Sequence, residues 1–258
     1  MLGISLSAEM RRGNRVAINI SPLCGDDSVH VLQKTNRRIL EAKLPVLTTH
    51  ASFMTHNSYD LIAEEWHKNH IRDARVERTL VYVDRVLDGL PPQAKVLDLG
   101  CGTGNPIARH IIDRGFRVVG IDQSQQMLAI AQHVIPEAEL IHADIIDVQL
   151  NERFDAAIVW DSAFHVPRQH HAAIYRKVAG TLEPGGRMLL SVGGEGAESL
   201  DSEFAGLTSQ MYGANFFYDA YDPRLARKLL EAAGFEIELW EVDDPSSHGH
   251  IAVIARRV

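Results

Sequence analysis

From Lys95 onward, short apolar runs alternate with stretches whose apolar residues recur at helical spacing, and the pattern continues almost to the end of the sequence. Strands are expected at residues 95–99, 116–121, 138–142, 154–160, 187–192, 235–241 and 250–256. Helices are expected at 106–113, stopped by Gly115, and at 125–133, behind the capping residue Ser124. Two more are expected at 168–182 and from Asp222-Pro223 through Ala233, where Gly234 ends the last one. Ahead of this alternation, Tyr59, Ile62, Ala63 and Trp66 recur at i, i+3, i+4 and i+7. A second amphipathic run carries Val76, Leu80, Val83 and Leu87 and stops at Pro91-Pro92. Strands separated by helices predict an α/β fold, a doubly wound seven-stranded, mostly parallel sheet with helices on both faces. The last two strands have no helix between them, so the final strand should run antiparallel, through a turn near Asp244-Pro245-Ser246-Ser247.

Two regions break the pattern. Residues 1–53 show no sustained periodicity beyond a short strand at 16–20 and a helix at 29–40, and read as a poorly ordered N-terminal extension. They carry seven Lys and Arg against four Asp and Glu, so a basic partner-binding arm is the alternative, as is a functional start at Met54. The domain itself is expected to span 54–258. Within it, residues 193–221 form a long connection that holds Phe204, Met211, Tyr212, Phe216, Phe217, Tyr218 and Tyr221. So many aromatics in one connection suit a substrate lid, or simply seat the segment on the domain.

The chemistry concentrates where the first strand ends. Val96-Leu97-Asp98-Leu99-Gly100-Cys101-Gly102-Thr103-Gly104 is a buried strand that breaks into a glycine loop, and Asn105-Pro106 follows as a cap and first helical turn. Strand, glycine turn and helix start make a nucleotide-type crevice. A dinucleotide fingerprint wants a third glycine where Asn105 stands, although glycine loops of this kind are degenerate and NAD stays open on them alone. Asp98, just before the loop, would repel a diphosphate and attract an ammonium group. Asp122 ends the second strand about 20 residues beyond the loop, where an acid accepts ribose hydroxyls; its alternative role is to cap the helix at Ser124.

The Asp98–Gly104 segment resembles motif I of the class I S-adenosylmethionine-dependent methyltransferases, and the acids after later strands and the antiparallel ending strengthen the likeness. The resemblance implies S-adenosyl-L-methionine as cofactor, held by Asp98, Gly100, Cys101, Gly102, Gly104, Asp122 and Gln123. It implies that Asp144 accepts from the adenine amino group while Ile145 and Met127 cover the ring, with ordinary core packing as the alternative for Met127. Trp160-Asp161-Ser162 would line the floor near the methionine end, and Tyr59 in Tyr59-Asp60-x-x-Ala63 would lid the cofactor. Methyl transfer from a sulfonium needs alignment above all, and a base only when the nucleophile carries a proton. Asp161 and His165 stand where such a base belongs, although His165 can equally well bond local backbone.

Bulk properties narrow the acceptor. The formal net charge of −8 disfavours nucleic acid. The residues after the fourth strand, Asp161-Ser162-Ala163-Phe164, lack the Pro-Pro element of adenine and glutamine methylating enzymes, which leaves a small molecule. Two cysteines, Cys24 and Cys101, form no disulfide or metal framework, and no His, Cys or Asp spacing suggests a metal. With no signal or spanning segment apparent, a cytoplasmic protein without membrane partners is expected. Oligomeric state and the acceptor atom are open. So are two other functions: aminopropyl transfer from the decarboxylated cofactor, and a non-catalytic cofactor-binding subunit.

Overall fold

The structure is a computed structural model that describes residues 58–70, 75–193, 206–243 and 251–258. The expectations for residues 1–53, Cys24, Phe204, the 244–247 turn and the first position of the 250–256 strand fall outside the described residues.

Two helices lead, α1 (Ser58–His70) and α2 (Val76–Leu87). The alternation then runs β1 (Lys95–Leu99), α3 (Ile107–Asp113), β2 (Arg117–Asp122), α4 (Gln125–Val134), β3 (Glu139–His142) and β4 (Phe154–Val159). Two 3₁₀ turns, Ala163–His165 and Arg168–His170, precede α5 (His171–Thr181) and β5 (Leu182–Val192). A hairpin of β6 (Leu207–Met211) and β7 (Ala214–Tyr218) follows, then α6 (Pro223–Ala232), β8 (Phe235–Val242) and β9 (Ile251–Arg257). The large sheet has the order β3-β2-β1-β4-β5-β9-β8. Its first five strands pair in parallel, and β9 runs antiparallel to both neighbours, inserted between β5 and β8. This is the expected doubly wound, seven-stranded α/β sheet.

Strand alternation sorts the core into two layers. Leu97, Leu99, Ala157, Val159, Met188 and Leu190 face one layer, packed against Ile174 and Val178 of α5 and Leu230 of α6. Val96, Ala156, Ile158 and Leu189 face the other, against Val83 and Val86 of α2, Ile111 of α3 and Ala131 of α4. Asp98 alternates with Leu97 and Leu99, so it shares the face of Val96, toward α3.

Helix ends follow the predicted chemistry in most places. Ser124 accepts the Met127 N–H at 3.1 Å, Asp222 accepts the Arg224 N–H at 2.9 Å, and Gly115 closes α3 with Phe116 N–H reaching Ile111 O. The start of α3 differs. Asn105 does not cap it: the Asn105–Pro106 peptide is cis, Pro106 takes the cap position, and the helix begins at Ile107. The expected helix at 168–182 is a 3₁₀ turn before it becomes α5. The connection at 193–221 differs too, for its described part folds as the β6–β7 hairpin around Tyr212 and Gly213, both at positive φ. Among the described residues no helix is long and apolar enough to cross a membrane.

Candidate active site

In a doubly wound sheet the chain order reverses between two neighbouring strands, and a crevice opens beyond their carboxyl ends. Here those strands are β1 and β4. The glycine loop leaves β1 with Gly100 at φ +86°, and a Cβ there would stand 2.3 Å from Cβ of Ser162, so only glycine fits. Ser162 in turn donates from Oγ to Leu99 O at 2.7 Å, tying the β1 loop to the β4 loop. A Cβ at Gly104 would meet Ile135 Cδ1 at 2.7 Å, which holds the loop down on α4.

The crevice is strongly acidic. Asp98 is 3% exposed, and burial, aided by the charge of Asp122, pushes its carboxyl up to about 7. Asp122 accepts the Gly102 N–H at 2.9 Å on one oxygen and the Ser124 N–H at 2.8 Å on the other. Burial raises its carboxyl against the pull of those two bonds. A carboxylate oxygen accepts more than one donor, so Asp122 can hold the loop and a diol together. The Cys101 thiol is buried and held well above its ordinary value by burial and by both acids.

The loop after β3 is fixed from two sides. Asp144 Oδ1 accepts the Ile146 N–H at 2.7 Å, and Lys177 of α5 donates to Ile145 O at 2.9 Å and Ile146 O at 2.7 Å. Ile145 joins the α5 layer of the core, and Met127 is only 1% exposed. Gln123 offers its carbonyl to His142 Nε2 at 2.9 Å. Trp160 packs in the α2 layer, its ring 5.9 Å from that of Tyr82, while the next residue, Asp161, turns through φ +49° and donates its N–H to Ser191 Oγ. The core thus takes the ring of Trp160, and Asp161 continues toward the crevice edge.

His165 and Tyr59, expected in separate roles, meet. His165 Nδ1 lies 2.9 Å from Phe217 O, a group that only accepts, so Nδ1 carries the proton. In the neutral ring Nε2 then accepts from the Tyr59 hydroxyl at 3.0 Å. The imidazole is ringed by Phe164 and Tyr218, each at 4.8 Å, Tyr59 at 5.5 Å and Phe216 at 5.8 Å. Burial, then Tyr218, Asp161 and Asp122, push the Tyr59 phenol far up, so it stays a hydroxyl donor. Both Asp122 and Asp161 act on Tyr59, which lies near the two acids.

Helix α1 roofs both parts. The Trp66 ring lies over Gly102, 3.6 Å from where a Cβ would stand, and His67 Nδ1 pairs with Thr103 Oγ1 at 2.9 Å. Ile62 packs with Ala214 and Phe216 of the hairpin. Sequence reasoning missed Asp60 and His67; of these only Asp60 lay inside a flagged pattern, beside Tyr59. Among the described residues no group of three His, Cys, Asp or Glu is arranged to hold a metal ion.

Residues 96–186, from β1 into β5, match the methyltransferase domain family. This stretch is a methyltransferase domain. Over 130 residues the chain is 35% identical to the dTDP-3-amino-3,6-dideoxy-alpha-D-glucopyranose N,N-dimethyltransferase of Streptomyces fradiae, covering 49% of each chain. It is 31% identical over 166 residues to phosphoethanolamine N-methyltransferase 3 of Arabidopsis thaliana, 62% of this chain and 32% of that one. The chain spans about half the length or less of these curated relatives. Among solved structures, the Burkholderia thailandensis 1,6-didemethyltoxoflavin-N1-methyltransferase, with bound 1,6-didemethyltoxoflavin and S-adenosylhomocysteine, superposes at a TM-score of 0.58. It shares 19% identity, over 78% of this chain and 85% of its own, and so shows the fold of the methyltransferase domain.

Proposed function

We propose that this chain transfers a methyl group from S-adenosylmethionine to a small-molecule acceptor, and that the accepting atom is an amine nitrogen. The observation that carries the reading is Asp98, a carboxyl only 3% exposed and electrostatically coupled to Asp122. Burying an acid beside a second acid is costly unless a cation completes the site. An α-ammonium group is such a cation, and a diphosphate is the opposite. Asp122 at the end of β2 suits the ribose diol, Asp144 the adenine amino group, and Ile145 and Met127 the apolar ring.

When bound, the cofactor would supply a methyl group on a sulfonium whose sulfur leaves as a neutral sulfide. The chain supplies position. The glycine loop and Trp66 close one side of the crevice, Asp161 borders the acceptor side, and the rings of Phe164, Phe216 and Tyr218 exclude water there. Tyr59 and His165 handle the proton: the hydroxyl accepts from the acceptor N–H while donating its own proton to Nε2, and Phe217 O steadies the imidazolium formed. Nitrogen is supported by the N-methyltransferase names of the relatives and by the aromatic, acid-flanked surroundings, which favour a group with cationic character.

Calorimetry with S-adenosylmethionine and NAD, followed by label transfer to a panel of small amines, alcohols and thiols, tests the reading. Binding of the sulfonium compound, its loss in Asp122→Ala, and label on amines are expected. Tight NAD uptake with no heat from the sulfonium compound would overturn it.

A further inference from the structure

One side chain near the crevice has no part in the roles above. Asp60 sits on α1 next to Tyr59, and its Oδ1 accepts twice: from Ser124 Oγ–H at 2.6 Å and from the Gln126 N–H at 3.1 Å. Both donors belong to the start of α4. Ser124 is a junction there. Its Oγ accepts the Met127 N–H, and its own N–H donates to Asp122 Oδ1 at 2.8 Å. A continuous hydrogen-bonded chain therefore runs from α1 through Asp60, Ser124 and Asp122 to the Gly102 N–H of the glycine loop.

We infer that Asp60 is a positioning residue for the cofactor, acting through Ser124 to aim the Asp122 carboxylate at the ribose diol. The inference rests on the cofactor reading above and assigns it a part that motif I does not contain. Three features argue for it. Ser124 must orient its hydroxyl hydrogen away from Met127, and Asp60 is the acceptor that fixes that orientation. A carboxylate facing the first turn of α4 also satisfies the Gln126 N–H and meets the positive end of the helix dipole. Finally, α1 grips the hairpin side through Ile62, through Tyr59 to His165, and through Ser58 Oγ to Asn215 O at 2.5 Å. Asp60 is its polar anchor on the α4 side, so one helix joins the cofactor acid to the proton-handling pair.

The charge of Asp60 also reaches Asp122 and adds to the rise of its carboxyl, in line with an uncharged diol rather than a phosphate as its partner. Both contacts use the same oxygen, Oδ1. Asparagine keeps that acceptor; alanine removes it.

The test is calorimetric titration of the full chain with S-adenosylhomocysteine and with its 2′-deoxyribose analogue. Wild type should bind the parent compound more tightly than the deoxy analogue. Asp60→Ala should weaken the parent by about tenfold, as expected for a lost charge-assisted hydrogen bond, and shrink the preference for the ribose form. Asp60→Asn should restore both to within about threefold. A general loosening of the fold would weaken both ligands equally, so an unchanged ribose preference in Asp60→Ala overturns the inference. So does unchanged affinity, or failure of Asp60→Asn to rescue. Absence of binding in wild type would instead overturn the cofactor reading itself, which separates the two.

Discussion

The two sides of the crevice are built on different principles. The cofactor side is made of backbone and buried acids: three glycines at positive φ, Asp98 and Asp122, all carried on β1, β2 and their loops. The acceptor side is made of side-chain surfaces, with Tyr59 from α1, Phe164 and His165 from a 3₁₀ turn, and Phe216 and Tyr218 from a hairpin. The first is written in two short stretches close together in the sequence, and the second is assembled from three distant segments. The family match spans residues 96–186, so it takes in the glycine loop, Asp122, Phe164 and His165 and leaves out α1 and the hairpin. Tyr59, Phe216 and Tyr218 are thus the parts of the site that lie outside the matched stretch.

The largest effect should come from damaging the glycine-loop side. In Gly100→Ala the new Cβ would sit 2.3 Å from Ser162 at φ +86°. The strain should cost about 2–4 kcal/mol, lower the thermal midpoint and abolish cofactor binding together. A variant that melts and binds like wild type would show that the loop does not depend on glycine.

The acceptor side should be separable. His165→Ala should slow label transfer by about 100-fold, the scale of a lost general base, while S-adenosylhomocysteine affinity changes little. Equal losses in binding and transfer would mean that the two sides are one structural unit.

The smallest and most graded effect concerns pH. Asp98 titrates near 7 in the unliganded protein, well above an exposed carboxyl, so it is mostly protonated at pH 5–6. An ammonium group favours the ionised form, so binding below pH 7 must expel a proton. Affinity for S-adenosylhomocysteine should therefore rise about tenfold per unit as pH increases toward 7 and level off above it. Asp98→Asn should bind weakly and with a flat profile. The same shift acts on stability with the opposite trend. The folded state holds a proton the unfolded state has lost, so unliganded stability falls between about pH 4 and 7.

The cofactor side was legible because each of its requirements is local. Positive φ demands glycine, a strand end demands an acid at fixed spacing, and Ser124 announces a helix start. The sheet was legible for the same reason, since β2, β4 and β5 each carry apolar runs and β1 breaks its run only at Asp98, while the short, half-exposed β3 was placed by the alternation around it. The hairpin was not. Leu207-Thr208-Ser209-Gln210-Met211 is largely exposed and polar, without a strand's alternation, and only Tyr212-Gly213 hinted at its turn. Nor was the Tyr59–His165 bond legible, because its partners lie 106 residues apart and meet only through tertiary packing. The cap at Asn105 failed where a proline followed at once, a case in which local rules compete.

The place of β9 bears on how this molecule is made. Last of the sheet strands in chain order, it occupies an interior lane, with Ile251 to Ala255 at 3% exposure or less. During synthesis β5 must wait with a bare edge while residues 193–250 emerge, and it has no neighbour on that side until β9 leaves the ribosome. A nascent chain halted before Ile251 would present the β5 edge to chaperones or to other unfinished chains.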